Sequence, residues 1–155
     1  MSEERDTAGV VAPPPLIYGG ALGLGILANR ALSVSSAPRR SRRVIGWPLI
    51  GGGLTLGLWG LRSLKSAGTN VDPYRPTTAF VTDGPYRFTR NPLYLGLTAV
   101  YMGISALAGS LWAVLLLPGV LTVMRRGVIE REERYLEGKF GEEYRRYKER
   151  VRRWI

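Results

Sequence analysis

The sequence predicts an all-α integral membrane protein with about four transmembrane helices, the last two paired in a tight hairpin, followed by cytoplasmic or interfacial helices. Three observations lead there. Residues 7–29, 44–61 and 91–124 carry no charged side chain. Of the 22 Lys and Arg, which against 12 Asp and Glu give a net charge of +10, all but Arg5 fall between and after those runs. The third run is 34 residues long, which as one helix would extend about 51 Å, well beyond a hydrocarbon core of roughly 30 Å. It must therefore fold back on itself. The 155 residues suit a single domain: two N-terminal spans within 1–61, a polar loop over 62–90, a helical hairpin over 91–124 and C-terminal cytoplasmic helices over 125–155.

The start, Met1-Ser2-Glu3-Glu4-Arg5-Asp6, places acids where a secretory signal needs a basic segment, so no cleavable signal is expected. Pro13-Pro14-Pro15 cannot lie inside a helix. The first span is therefore expected to begin near Pro15 or Leu16 and to run to about Leu32, with Arg30 snorkelling to the interface. Gly19 and Gly23, four apart, would let a neighbouring membrane helix approach closely. A basic connection holding Arg39, Arg40, Arg42 and Arg43 follows.

The second span, 44–61, is 18 residues long, close to the minimum for crossing a bilayer. Trp47 and Trp59 fit the two interfaces, and Gly53 and Gly57 form a second small pair. Residues 62–90 are polar and include Pro73, Pro76 and Pro85, which indicates a loop ordered against other parts of the protein. Asn91-Pro92 then starts a helix, because proline is favoured in the first turn, where its missing N–H costs nothing. Ala108-Gly109-Ser110 is the expected hairpin turn, and Pro118-Gly119 allows a kink in the second arm.

From Leu136 onward, Phe140, Tyr144, Tyr147, Val151 and Trp154 recur at steps of three and four, forming one apolar stripe on a basic helix interrupted near Gly138 or Gly141. Such a helix can lie on a membrane or cap a site. Residues 125–155 hold 11 Lys/Arg and 62–90 hold five, against four in 33–44. The positive-inside rule therefore places the termini and the polar loop in the cytoplasm, most simply of a plasma (inner) membrane protein. The Arg39–Arg43 cluster opposes that orientation but is outnumbered.

Cys and His are both absent. That removes disulfides, thiol nucleophiles, cysteine–zinc sites and the commonest general base. No metal site is expected, and any chemistry rests on Glu, Asp, Tyr, Arg, Lys or Asn. Nucleic acid is not an expected partner, since glutamates interrupt the basic tail and no reader motif is present. The polar residues Tyr86, Arg87, Arg90, Asn91 and Tyr94 gather where a helix enters an apolar run, and Glu132-Glu133 follow the hairpin. Adjacent helical glutamates project about 100° apart, so one can face a pocket while the other pairs with a cation such as Arg126.

Two blocks on either side of the hairpin form a specific pattern. The first is Gly84-x-Tyr86-x-x-x-Arg90-Asn91-Pro92-x-Tyr94-x-Gly96; the second is Arg126 followed by Glu132-Glu133-x-x-Leu136-x-x-x-Phe140-Gly141-Glu142-Glu143-Tyr144-x-x-Tyr147. Over nearly half the chain this resembles the isoprenylcysteine carboxyl methyltransferase and phospholipid methyltransferase family of integral membrane enzymes. The resemblance implies S-adenosylmethionine as cofactor, bound without a Rossmann sheet at the cytoplasmic end of the hairpin and the C-terminal helices. It further implies that Arg90, Asn91, Tyr94, Gly96, Glu132 and Glu133 line the cofactor pocket. Arg126 would stand near the acceptor and share catalysis with Glu133, and the acceptor would be a lipophilic molecule arriving from the bilayer. The family usually has histidine where this chain has Asn91, which cannot act as a general base but can still hydrogen-bond. A carboxylate acceptor, already nucleophilic, is thereby mildly favoured over an amine or thiol. Two other readings stay open from the residues: a nicotinamide-dependent membrane reductase on a similar scaffold, and a non-catalytic module whose basic tail binds anionic lipids.

Overall fold

The structure is a computed structural model that describes residues 7–32, 38–71 and 75–155. The acidic start at 1–6, the beginning of the basic connection at 33–37 and Pro73 of the polar loop lie outside these residues. Helix α1 spans Pro14–Ala31, α2 Arg39–Ser66, α3 Pro92–Ala108, α4 Leu111–Met124 and α5 Glu130–Arg150. Among the described residues there is no strand.

Helices α2 and α3 run antiparallel, and two glycine pairs set their spacing. A Cβ on Gly96 would lie 2.7 Å from the Gly53 carbonyl oxygen, and one on Gly103 would lie 2.7 Å from that of Gly46. Only hydrogen on these carbons lets the two backbones meet. Helices α1 and α4 are also antiparallel: Gly25 abuts Ala113, while Val11 N–H donates to the Gly127 carbonyl at 3.1 Å. The expected glycine pair at 19 and 23 meets nothing; Gly25 makes the close contact instead. Several polar side chains inside the bundle bond across it. Tyr101 donates to the Ala113 carbonyl at 2.6 Å, Ser110 to Gly25 at 2.9 Å, and Tyr18 meets Thr98 at 2.8 Å.

The surface is the inverse of a soluble protein's. Leu16, Leu24, Leu27, Val44, Ile45, Trp47, Leu54, Leu58, Leu115 and Val123 are exposed, whereas the interior mixes tyrosines and serines with a few aliphatic residues such as Met124, Val128 and Ile129. Such a continuous apolar exterior is stable only against lipid. Two helices, Arg39–Ser66 and Leu111–Arg150, are long and apolar enough to cross a membrane; α3 is apolar but shorter.

The hairpin turn falls where expected, but its arms are not tightly paired: α3 packs chiefly on α2 and α4 on α1. Gly109 takes the left-handed conformation (φ 63°), and Ser110 caps α4, its Oγ accepting from Ala113 N–H at 3.2 Å. Three boundaries differ from expectation. Helix α2 extends through Arg39–Arg43 at one end and to Ser66 at the other, so the first part of the supposed polar loop is helical. Helix α4 does not stop at the end of the apolar run. It continues through a π-helical turn, Arg125–Ile129, directly into α5. The helix ends at Arg150, which leaves Val151 and Trp154 in an extended tail rather than on the helical stripe. Gly141 breaks α5 at the predicted place (φ 52°, ψ −123°).

Candidate functional site

The N-terminal end of α3, the C-terminal end of α2, the segments 69–71 and 75–81 and α5 enclose a cleft with about 940 Å³ of free space, its open mouth included. Five of the seven residues singled out by sequence line it: Arg90, Asn91, Tyr94, Glu132 and Glu133. The turn Gly84–Arg87 and Pro92 aim the first three, because the chain must be extended before Pro92 and helical after it.

The two glutamates divide as adjacent helical residues should. Tyr94 donates to Glu132 Oε1 at 2.6 Å. Glu133 instead meets two arginines: Arg90 Nη1 at 3.0 Å, and Arg153 through Nε at 3.0 Å and Nη2 at 2.7 Å. Burial pushes the Glu132 carboxyl up to about 7 from an ordinary 4.5; the Tyr94 hydrogen bond opposes this rise and nearby Glu133 adds to it. Part of the Glu132 side chain stays open to the cleft. Arg90 Nε and Nη1 are buried and have no acceptor in hydrogen-bonding geometry among the described residues, although Nη1 lies within ion-pair distance of Glu133.

An aromatic wall completes the cleft. Phe80 stacks on Phe140 with centroids 5.3 Å apart and meets Tyr147 edge-on at 5.2 Å. Tyr147 donates to the Tyr86 carbonyl at 2.7 Å. Burial raises the phenols of Tyr86, Tyr144 (to about 12) and Tyr147, so all three remain neutral donors near pH 7. The C-terminal stripe therefore caps a site through Tyr144 and Tyr147, both buried, rather than lying free on a membrane surface.

Two predicted site residues lie elsewhere. Gly96 is absent from the cleft because it faces Gly53 and Gly57 of α2; its lack of a side chain serves helix contact. Arg126 is exposed and lines a separate cleft with Leu121, Thr122, Arg125 and Trp154. In a regular helix, Arg126 and Glu133 would sit about 20° apart on one face. The π turn between them acts like one inserted residue, about 100° of rotation, and removes that alignment. Arg126 consequently is not the partner of Glu133. Arg153 is, and sequence reasoning missed it. Its only signal was position, one step before Trp154 in a basic tail.

Asn91 is buried and its Nδ2 donates to the Arg153 carbonyl at 2.9 Å. Since that oxygen can only accept, the amide nitrogen must face it.

Comparison with known proteins gives the family. The family profile described as phospholipid methyltransferase matches residues 41–143, more than half of the chain. An uncharacterized protein of Haemophilus influenzae is 43% identical over 63 residues, 41% of this chain and 100% of that one. The protein-S-isoprenylcysteine O-methyltransferase of Schizosaccharomyces pombe is 37% identical over 71 residues, 46% of this chain but only 30% of that protein. No solved structure matches. The matched span takes in nearly all of α2, the whole of α3 and α4, and the Glu132–Glu133 pair with most of the cleft's lining: the chain belongs to the phospholipid methyltransferase family.

Proposed function

We propose that this membrane protein transfers a methyl group from S-adenosylmethionine to a lipophilic acceptor. The observation that carries the reading is the pairing, in one cleft, of a pocket-facing carboxylate with an arginine whose buried Nε and Nη1 lack acceptors. The donor's amino acid end needs both: a carboxylate for its ammonium and sulfonium charges, and an arginine for its own carboxylate. Aromatic faces at Phe80, Tyr86 and Tyr147 suit a planar base and a cation.

When bound, the donor supplies a methyl group activated on a cationic sulfur. Glu132 offsets that positive charge, and Tyr94 fixes its carboxylate by donating to Oε1. Arg90 holds the donor's carboxylate, with Glu133 holding Arg90 in turn. The aromatic wall limits water at the reacting atoms, and positioning supplies much of the rate, an effect worth on the order of 7–11 kcal/mol for well-oriented reactants. Asn91 acts as a hydrogen-bond donor in this scheme and takes no proton. A carboxylate acceptor fits it with the fewest demands, because it arrives ionised; an amine or thiol would need its proton removed. The donor reaches the cleft from the cytoplasmic side, and the lipid enters laterally from the bilayer. Arg126, facing away from Glu132, takes no part in donor binding and is left to the headgroup of the acceptor or of surrounding lipid.

Calorimetry with S-adenosylmethionine on protein in detergent tests the reading. Saturable binding that Glu132→Gln weakens at least tenfold is expected. Well-folded protein that does not bind would overturn it. Transfer of a labelled methyl group to lipid carboxylates, amines and thiols then identifies the acceptor.

A further inference from the structure

The segment 152–154 is bound to the walls of the cleft at several points. The backbone turn at 89–91 docks on it through three hydrogen bonds. Arg90 N–H donates to the Arg152 carbonyl at 3.0 Å, while Thr89 Oγ1 and Asn91 Nδ2 both donate to the Arg153 carbonyl, at 3.1 and 2.9 Å. Two donors saturate that oxygen's lone pairs. The Arg153 side chain then reaches the other way and grips Glu133 with two nitrogens, at 3.0 and 2.7 Å. Trp154 anchors the strap by packing against the hydrophobic core cluster.

One residue thus ties together both walls of the cleft, the turn that carries Arg90 and the helix that carries Glu133. Charge balance does not require the second arginine, because Glu133 already faces Arg90. What a two-pronged grip adds is orientation: it fixes the plane of the carboxylate. With that plane fixed, Arg90 meets Oε1 at 3.0 Å but outside hydrogen-bond geometry, which leaves its Nε and Nη1 hydrogens without acceptors. We infer that Arg153 is a positioning residue for the donor pocket, its side chain orienting Glu133 and its carbonyl holding the 89–91 turn so that Arg90, ion-paired to Glu133, is held in place in the cleft wall. This deepens the methyl-donor reading and rests on it for the identity of the ligand.

The test uses the full chain in detergent as wild type, Arg153→Ala, Arg153→Lys and, as surface control, Arg145→Ala. Two readouts are taken: S-adenosylmethionine affinity by calorimetry, and hydrogen exchange of the Arg90 amide, with the buried Tyr101 segment of α3 as internal reference. Arg153→Ala is expected to weaken binding at least tenfold and to speed exchange at Arg90 while the α3 reference stays protected; Arg145→Ala changes neither. Lysine keeps the charge and loses the fork, so Arg153→Lys is expected to recover only part of the affinity. Unchanged affinity in folded Arg153→Ala, or full recovery with lysine, overturns the proposal. If Arg153→Ala does not fold, the lysine variant decides alone. If the wild type binds no S-adenosylmethionine, the donor reading fails separately, and exchange at Arg90 still judges the strap: protection unaltered in Arg153→Ala refutes it.

Discussion

Replacing Glu132 by glutamine should make the ligand-free protein more stable and less able to bind its donor. The folded-state carboxyl titrates at about 7 against an ordinary 4.5. This shift is opposite to the usual acidic case. The unfolded chain loses the proton first as pH rises, so folding is opposed progressively between pH 4.5 and 7 and by a constant amount above. At about 1.4 kcal/mol per unit, the penalty at pH 8 is of order 3 kcal/mol, an upper figure because part of the side chain faces the open cleft. Glutamine is nearly isosteric, keeps an acceptor for Tyr94 and never ionises. Thermal unfolding in detergent should therefore show Glu132→Gln more stable than wild type at pH 8, with the gap closing towards pH 4. Donor affinity should run the other way. In wild type it should fall about tenfold for each pH unit below 7, as the carboxylate needed by a cation is protonated; in the variant it should be weak and flat. Equal stability of the two proteins at pH 8 would refute the claim of a desolvated carboxylate. A flat wild-type affinity profile would refute its role towards a cation.

Other substitutions separate packing from binding. Gly96→Ala places a Cβ 2.7 Å from the Gly53 carbonyl and 3.1 Å from the Gly57 nitrogen; backbone atoms cannot rotate aside, so about 1–3 kcal/mol of stability should be lost. Donor affinity of the folded Gly96→Ala fraction should be unchanged by calorimetry. Tyr94→Phe removes the hydrogen bond that holds the Glu132 carboxyl down, so the midpoint of the affinity–pH profile should move above 7. Arg126→Ala should leave S-adenosylmethionine affinity at the wild-type level, because its cleft shares no residue with that of Glu132; any effect should appear as a raised KM for the lipid acceptor.

How much of this was legible in the sequence depended on whether the determining contact was local. The Gly109 turn, the Pro92 helix start and the break at Gly141 are written in residues that restrict their own backbone, and each appears where the sequence places it. The split of Glu132 from Glu133 follows from helical periodicity alone. The π turn could not be read that way. It lies where the N-terminal segment crosses, with Val11 N–H bonded to the Gly127 carbonyl and no room for a Cβ beside Val11 Cγ2 at 2.6 Å. The contact joins residues more than a hundred positions apart. Counting residues along a regular helix would put Arg126 on the face of Glu133, and that turn moves it off. Gly96 failed for a related reason: a glycine beside a motif reads equally as room for a ligand or for a helix, and only its distance to Gly53 decides. Arg153 lies beyond the last periodic element, where no pattern registers a role.

Position 91 offers a test of whether its side chain only donates a hydrogen bond or takes part in proton transfer. The structure uses the Asn91 side chain as a donor: Nδ2 serves the Arg153 carbonyl, and the residue is buried. If donation is its whole task, histidine should substitute, because an imidazole N–H can face the same oxygen, whereas aspartate should not. Asn91→Asp would set a carboxylate oxygen against a carbonyl oxygen in a buried place, losing one hydrogen bond and costing about 1–3 kcal/mol. A proton-accepting role predicts the reverse, since aspartate and histidine are both bases and asparagine is not. Methyl-transfer rate and donor affinity measured for Asn91→Asp and Asn91→His distinguish the two. Loss with aspartate and retention with histidine identify a tie between α3 and the tail. Faster transfer with aspartate would mean that the amide blocks chemistry at this position, and the argument from the Arg153 carbonyl would be wrong.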